Sequence, residues 1–277
     1  MLKQRVITAC ILALLLISAI VLLPPAGFHL CMGLVLCLAA WEWSRLAGVQ
    51  ALAWRLLYVL VFVPMLYFSA DIGGPLRERI LLASVLWWLL ALGWVLCYPR
   101  YRTGWYRPAV LLPAGLPLLL PGWLSLLYLR ELSDYISYIL LFLCLVAAAD
   151  IGAYFGGRRF GRHKLAPAVS PNKTWEGVVG GQLAACLVLW LFLIGATLQG
   201  LALNANQVIE ATLGTILLAA CSVVGDLYES MVKRAGNLKD SGSVLPGHGG
   251  ILDRIDSMTA ALPVFVLVML NSGVAGT

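Results

Sequence analysis

Charged side chains are scarce in this chain of 277 residues: 12% are Asp, Glu, Lys or Arg, whereas an average soluble domain has about 25%. Residues 6–23, 81–97 and 177–198 contain no charged residue at all. Each stretch approaches or exceeds the roughly 20 apolar residues that span a bilayer, a length that soluble core helices rarely reach. The sequence therefore excludes a soluble fold and predicts an all-α, polytopic integral membrane protein.

Several familiar signals are also missing. The seven cysteines show no CxxC or other metal-ligand spacing, and their odd number argues against a complete set of disulfides. No GxxxxGK[ST] sequence is present, which excludes a Walker-type phosphate loop. No A-x-A cleavage site follows the first apolar run, so we expect a retained helix rather than a signal peptide. We expect no nucleic-acid partner, because no soluble domain exists to hold one.

The apolar runs predict about nine transmembrane helices. The fifth contains four prolines between residues 108 and 121, each of which removes a backbone donor and should kink or break the helix. With the N-terminus in the cytoplasm, most of the 19 Lys and Arg residues fall in cytoplasmic segments, as the positive-inside rule requires. The expected spans are residues 5–23, 28–47, 53–70, 78–98, 108–129, 135–155, 177–198, 207–232 and 254–272.

This scheme divides the chain into two parts. Residues 1–134 hold about five spans, and residues 135–277 hold about four spans with two large polar loops, 156–176 and 233–253. Both loops are basic, rich in glycine and cytoplasmic in this topology. We therefore expect the chemistry on the cytoplasmic face, where a net charge of +6 also suits anionic lipid headgroups.

Acidic residues at the end of the eighth span indicate a functional site. Asp226, Glu229, Ser230 and Lys233 follow i, i+3, i+4, i+7 spacing, so they share one helical face. Acids within an apolar span are costly and usually functional. The structural alternative is an interfacial salt bridge between Glu229 and Lys233.

A second acidic pair opens the ninth span. Asp253 and Asp256 lie three residues apart and face the same way, with only Arg254 between them as a cation. A divalent metal explains such a pair, and oxygen ligands beside a phosphate substrate point to Mg²⁺. The alternative is a pair of N-terminal acids that favour the helix dipole.

Cations and glycines connect the two sets of acids. Glycines let a backbone approach a ligand closely, and N–H groups near a helix start bind anions. The order of acid, cations, glycines and two acids suits phosphoryl or nucleotidyl transfer. His248 is a phosphate contact, a structural loop residue or a proton donor. The candidate substrate-binding residues here are Arg234, Lys239, Asp240, His248, Gly249, Gly250 and Arg254.

The other loop contains a basic run, residues 158–164, and the segment SPNKTWEG. The basic run is explained equally well as a positive-inside anchor. The segment ends in a capping pattern that starts at Thr174, and we expect it to hold a second phosphate group or the nucleotide. Its candidate substrate-binding residues are Ser170, Asn172, Lys173, Thr174 and Glu176.

These motifs resemble a known signature. The pattern S-x-V-K-R-x4-K-D-x-G-x2-L-P-x-H-G-G-I-x-D-R-I-D, from Ser230 to Asp256, is similar to that of the bacterial-type phosphatidate cytidylyltransferases, the CDP-diacylglycerol synthases. The preceding GDLYES, and the earlier D-x-x-A-Y and SPNKTWEG, resemble the same family. The close resemblance covers roughly residues 150–265.

The resemblance implies transfer of a cytidylyl group from CTP to phosphatidate, with Mg²⁺ and an associated K⁺. It implies an integral protein of the bacterial inner membrane that forms a homodimer. It places the metal-site carboxylates on Asp226, Asp253 and Asp256 and the signature lysine on Lys233. These four are the expected catalytic residues.

Two other functions fit part of the pattern. A CTP-dependent lipid kinase of the polyprenol or phytol type would share the acids and glycines but would transfer the γ-phosphoryl group. A transporter would use intramembrane acids such as Asp150 and Asp226 as a cation pathway. It would not need long glycine-rich basic loops that carry a metal-type acid pair.

Overall fold

The computed structural model describes residues 2–100, 102–200 and 202–272, which are almost entirely helical, as the sequence predicts. A short antiparallel hairpin of β1 (Lys164–Ala166) and β2 (Ser170–Thr174) joins two of the helices. The helices are α1 (Leu2–Leu22), α2 (Pro25–Leu46), α3 (Leu52–Ser69), α4 (Gly74–Cys97), α5 (Arg102–Trp105), α6 (Pro108–Glu131), α7 (Tyr135–Phe160), α8 (Trp175–Leu198), α9 (Ala205–Ala235) and α10 (Leu252–Ser272).

The helices identify an integral membrane protein. In the described part of the chain, all except α5 have at least 18 residues and lie near the expected spans. Seven of them, α2 to α4 and α6 to α9, are long and apolar enough to cross a membrane, and α1 adds the shorter apolar stretch Ile7–Leu22. Large apolar side chains are exposed along α1, α3, α4 and α8, as a surface against lipid requires. The number of nine spans stays a prediction.

The two polar loops are shorter than the sequence predicts, because helices extend into them from both sides. The remaining connections are residues 161–174, which contain the hairpin, and 236–251. Glycines allow α7 to continue past its apolar run and pack tightly on α8. A Cβ atom at Gly156 would lie only 3.0 Å from the carbonyl oxygen of Glu176, so no larger residue fits there without a shift.

The proline-rich helix α6 is continuous, so the expected break does not occur. Pro113, Pro117 and Pro121 all lie inside it. Side chains of neighbouring helices donate hydrogen bonds to its backbone: Trp43 Nε1 to the Leu111 carbonyl at 2.7 Å and Tyr58 Oη to the Leu112 carbonyl at 3.0 Å. These hydrogen bonds attach α6 to α2 and α3. They do not replace the bonds lost at the prolines, because a proline deprives the carbonyl four residues before it, here those of residues 109, 113 and 117.

A glycine lets Trp43 and Tyr58 approach α6. A Cβ atom at Gly115 would overlap the Tyr58 hydroxyl and lie 2.5 Å from Trp43 Cδ1. We expect Gly115→Ala to destabilise the protein by about 1–3 kcal/mol through overpacking, measured as a lower thermal unfolding midpoint in detergent. Gly93→Ala is the matched control, because a Cβ atom there would meet nothing within 4 Å. Equal midpoints for the two variants would contradict this packing.

An aromatic cluster joins the N-terminal helices α2 and α4 to α9. Tyr228 is fully buried, and its ring stacks on Trp43 of α2 and Trp94 of α4 at centroid distances of 6.0 and 6.2 Å. On the same helix, Gly225 packs against the main-chain carbonyl of Asp256, which leaves no room for a Cβ atom. These contacts fix the relative positions of α2, α4, α9 and α10.

Candidate active site

A polar cleft of about 360 Å³ opens where α7 and α9 meet the start of α10. It lies at the end of the bundle where α1 begins, because Thr8 Oγ1 donates a hydrogen bond to the Pro246 carbonyl at 3.2 Å. The structure brings together all four residues predicted to be catalytic. The lining consists of Val146, Asp150, Asp226, Lys233, Asp240, Asp253, Arg254, Asp256, Ser257 and Met258.

Lys233 is the central cation of the cleft. Its Nζ lies 2.6 Å from Asp253 Oδ1 and 3.4 Å from Glu229 Oε1. The three side chains are buried, with exposed fractions of 12% for Lys233, 7% for Asp253 and 3% for Glu229. Lys233 therefore forms a close ion pair with Asp253, and Glu229 lies beside that pair.

The second oxygen of Asp253 is held by the loop before α10. Its Oδ2 accepts hydrogen bonds from Ser241 N at 2.9 Å and Gly250 N at 2.8 Å, and it lies 2.9 Å from Ser241 Oγ. The intervening Gly249 has a φ of 82°, and a Cβ atom there would approach Asp253 Oδ2 to 2.8 Å. Glycine is therefore required at this position by both its conformation and the contact.

The hairpin places a second lysine beside an acid of the cleft. Lys173 of β2 places its Nζ 2.5 Å from Asp226 Oδ2, and Ser230 Oγ donates to Asp226 Oδ1 at 3.2 Å. Lys173 and Asp226 are both about one-third exposed or less. Of the segment predicted to bind a phosphate or the nucleotide, Lys173 is thus the residue that reaches the acids.

The predicted metal-binding acids differ in their surroundings. Asp253 already faces four donor contacts, about the number of lone-pair sites of a carboxylate. Asp226 and Asp256 line the cleft from two helices, and this donor set fits Mg²⁺ held by one or two carboxylates with substrate phosphates. Across residues 2–100, 102–200 and 202–272, no three Asp, Glu, His or Cys side chains are grouped closely enough to hold a metal themselves.

The remaining predicted residues of the hairpin segment have other contacts. Thr174 caps α8, as its pattern predicts, by accepting a hydrogen bond from Gly177 N at 3.1 Å. Glu176 Oε1 lies 2.6 Å from His163 Nδ1 and ties the start of α8 to the hairpin. Ser170 and Asn172 lie in β2, and neither belongs to the lining of the cleft described above.

The candidates of the second loop divide in the same way. Asp240 and Arg254 line the cleft, and Arg254 Nη2 donates to the His248 carbonyl at 2.9 Å. Gly250 belongs to the loop that binds Asp253. Arg234 and Lys239 are exposed, and neither they nor His248 are part of the cleft lining in the described structure.

The sequence patterns do not single out two residues that the site depends on. Glu42 of α2 is buried, and it binds the start of α10 across 210 positions of the chain. Ser241 contacts both Glu42 and Asp253. The available signal for Glu42 is the run AAWEWSRL, in which a single acid interrupts an apolar span. Ser241 carries no such signal.

Comparison with known proteins places the chain in a family. The sequence profile described as "Cytidylyltransferase family" matches residues 3–271. The chain belongs to the cytidylyltransferase family. In this cytidylyltransferase, the profile covers the acids of the cleft, Lys233 and the loop that holds them.

Three similar proteins carry the same name, and each matches most of this chain. A protein of Pseudomonas aeruginosa named phosphatidate cytidylyltransferase is 45% identical over 99% of this chain and 98% of its own length. The protein of that name from Haemophilus influenzae is 40% identical over 96% of this chain and 97% of its own. A third, from Brucella suis, is 35% identical over 82% of this chain and 78% of its own.

Proposed function

We propose that this protein is a phosphatidate cytidylyltransferase, a nucleotidyltransferase of phospholipid biosynthesis that converts CTP and phosphatidate into CDP-diacylglycerol and pyrophosphate. One observation carries the proposal. The protein of that name from Pseudomonas aeruginosa is 45% identical over 99% of this chain and 98% of its own length.

The proposed reaction needs charge neutralisation more than proton transfer. A phosphate oxygen of phosphatidate attacks the α-phosphorus of CTP, and the bond from that phosphorus to the bridging oxygen breaks to release pyrophosphate. No strong general base is needed, because the second pKa of a phosphate monoester is near 6. Lys233 in the cleft and Lys173 beside Asp226 supply positive charge, as electrostatic stabilisation of this reaction requires.

We propose Mg²⁺ as the cofactor, held by Asp226 and Asp256 with phosphate oxygens of the substrates. When bound, it neutralises negative charge on the triphosphate. Asp253 orients Lys233, with which it forms the shortest contact of the cluster at 2.6 Å, and its metal role stays a prediction. A K⁺ ion near the same carboxylates belongs to the proposal through the family resemblance.

We further propose that the cleft opens on the cytoplasmic face of a bacterial inner membrane and that the enzyme is a homodimer. The positive-inside bias supports this orientation, since Arg158, Arg159 and Lys164 are exposed at the end of the bundle that bears the cleft. In this arrangement CTP arrives from the cytoplasm. Phosphatidate keeps its acyl chains in the bilayer, and only its headgroup enters the cleft.

Two labelled forms of CTP test the reaction. We expect purified protein with phosphatidate and Mg²⁺ to transfer label from α-labelled CTP into lipid and to release label from γ-labelled CTP as pyrophosphate. A polyprenol- or phytol-type kinase would act only when a lipid alcohol is supplied, and it would then transfer γ-label into that lipid and release CDP. Absence of both products, together with ion flux across vesicles without CTP, would favour a transporter and contradict the proposal.

A further inference from the structure

Glu42 is a buried carboxylate from the N-terminal half that binds the catalytic half. Glu42 is 1% exposed and lies in the last turns of the apolar helix α2. Its Oε1 accepts a hydrogen bond from Ile251 N at 3.1 Å, and its Oε2 accepts one from Leu252 N at 2.8 Å. Those N–H groups belong to the start of α10, where a helix has no acceptors of its own. Glu42 therefore caps α10 from a different helix.

The loop before α10 is shaped around this carboxylate. A Cβ atom at Gly242 would overlap Glu42 Oε1, and one at Gly250 would overlap Glu42 Oε2 and Ser241 Oγ. Neither glycine has a positive φ, so the close approach, rather than the backbone conformation, excludes larger residues. The loop surrounds Glu42 on two sides as closely as its backbone allows.

A chain of contacts leads from Glu42 to the cleft. Ser241 Oγ lies 3.0 Å from Glu42 Oε2 and 2.9 Å from Asp253 Oδ2. Asp253 Oδ1 in turn lies 2.6 Å from Lys233 Nζ. Arg45, one turn after Glu42 on α2, donates from Nη1 to the Ser241 carbonyl at 3.3 Å. Helix α2 thus contacts Ser241 twice: Glu42 contacts the serine hydroxyl, and Arg45 contacts the serine carbonyl.

We propose that Glu42 is a positioning residue for the cytidylyl transfer. It fixes Ser241 and the first turn of α10, so that Asp253 keeps the Lys233 ammonium directed into the cleft. Glu42 itself is absent from the described lining of the cleft and therefore acts through these residues. The inference deepens the proposed function and rests on it for the reaction, while the geometry that it describes is independent of the substrate.

Hydrogen–deuterium exchange tests that geometry without any substrate. In Glu42→Gln, the side-chain NH₂ must face either the Ile251 or the Leu252 N–H, so one of the two hydrogen bonds is lost in either orientation. We expect the peptide covering residues 250–253 to exchange about tenfold faster than in the unmodified protein, since local opening becomes easier. An unchanged exchange rate would overturn the inference, whatever reaction the enzyme catalyses.

Kinetics then separate positioning from stability. For folded Glu42→Gln we expect kcat to fall by about 10- to 100-fold while KM for CTP changes little. The reason is that Glu42 orients Asp253 and Lys233 without touching the substrates itself. Glu131→Gln is the matched control, because Glu131 pairs with Arg77 away from the cleft. A normal kcat in the folded Glu42 variant would overturn the inference, as would a loss confined to thermal stability.

The route through Ser241 has its own test. Ser241→Ala should lower kcat, and the double variant Glu42→Gln/Ser241→Ala should be little worse than the more impaired single variant, since the two residues act through one chain of contacts. Multiplied losses would show that Glu42 acts independently of Ser241 and would overturn the proposed route. A wild-type enzyme without activity would contradict the proposed function instead, and the exchange result would still decide the geometry.

Discussion

Replacing Asp256 with asparagine should lower CTP-dependent formation of CDP-diacylglycerol by about 100-fold or more. Asparagine keeps the shape of the side chain but removes the charge that we assign to Mg²⁺ binding. The hydrogen bond that the carboxylate accepts from Ser257 N at 2.7 Å is available to the asparagine oxygen, and the Asp256 side chain also lies against Glu229. The measurement is the initial rate with purified enzyme at saturating substrates.

Two comparisons make this result specific. Asp134→Asn, an exposed acid before α7 at the opposite end of the bundle, should retain full activity. The Asp256 variant should also require a higher Mg²⁺ concentration for any residual rate, since one carboxylate then has to hold the ion. Near-normal turnover by a folded Asp256→Asn enzyme would refute the metal role of this residue.

Replacing Lys233 with methionine should have the largest combined effect on activity and stability. The substitution leaves Asp253 and Glu229 buried without the cation that lies 2.6 and 3.4 Å away. Removing one partner of a buried ion pair costs about 3–5 kcal/mol, so the thermal unfolding midpoint should fall clearly. We also expect the rate to fall by about 100-fold or more, because the cleft loses its central positive charge.

A double variant distinguishes the two roles of Lys233. In Lys233→Met/Asp253→Asn, the side chain at position 253 is neutral and no longer needs a cation beside it, so part of the lost stability should return. Activity should stay as low as in the single variant, since the cation is still missing. Recovery of activity together with stability would mean that Lys233 only stabilises the fold. Arg79→Met, an exposed cation on α4, serves as the control for a simple loss of positive charge.

Much of the architecture follows from the sequence because apolar run length reports directly on membrane helices. Asp226 near the end of the eighth span and the pair Asp253 and Asp256 at the start of the ninth all line the cleft, as their positions in the sequence indicate. Lys173 also reaches Asp226, a contact that sequence spacing alone does not predict. Local pattern is sufficient where a residue's role depends on its own helix or on the next element.

Other features depend on contacts that no local pattern records. The extension of α7 comes with close packing of its glycines on α8, and hydrogen bonds from Trp43 and Tyr58 attach α6 to α2 and α3. The cap that Thr174 forms on α8 does follow from its local pattern, whereas its predicted contact with a substrate stays a prediction. The link between Glu42 and the first turn of α10 joins residues more than 200 positions apart, beyond any spacing rule.

That link also limits how the chain can be divided or recombined. A chimaera that joins residues 1–134 of one relative to residues 135–277 of another must match an acid in α2 with the serine and glycines of the distant loop. A fragment that begins at residue 135 would leave the N–H groups of Ile251 and Leu252 without their acceptor, at about 1–3 kcal/mol for each. Helix α2 is therefore part of the structural support of the catalytic loop, and the N-terminal helices are more than a membrane anchor.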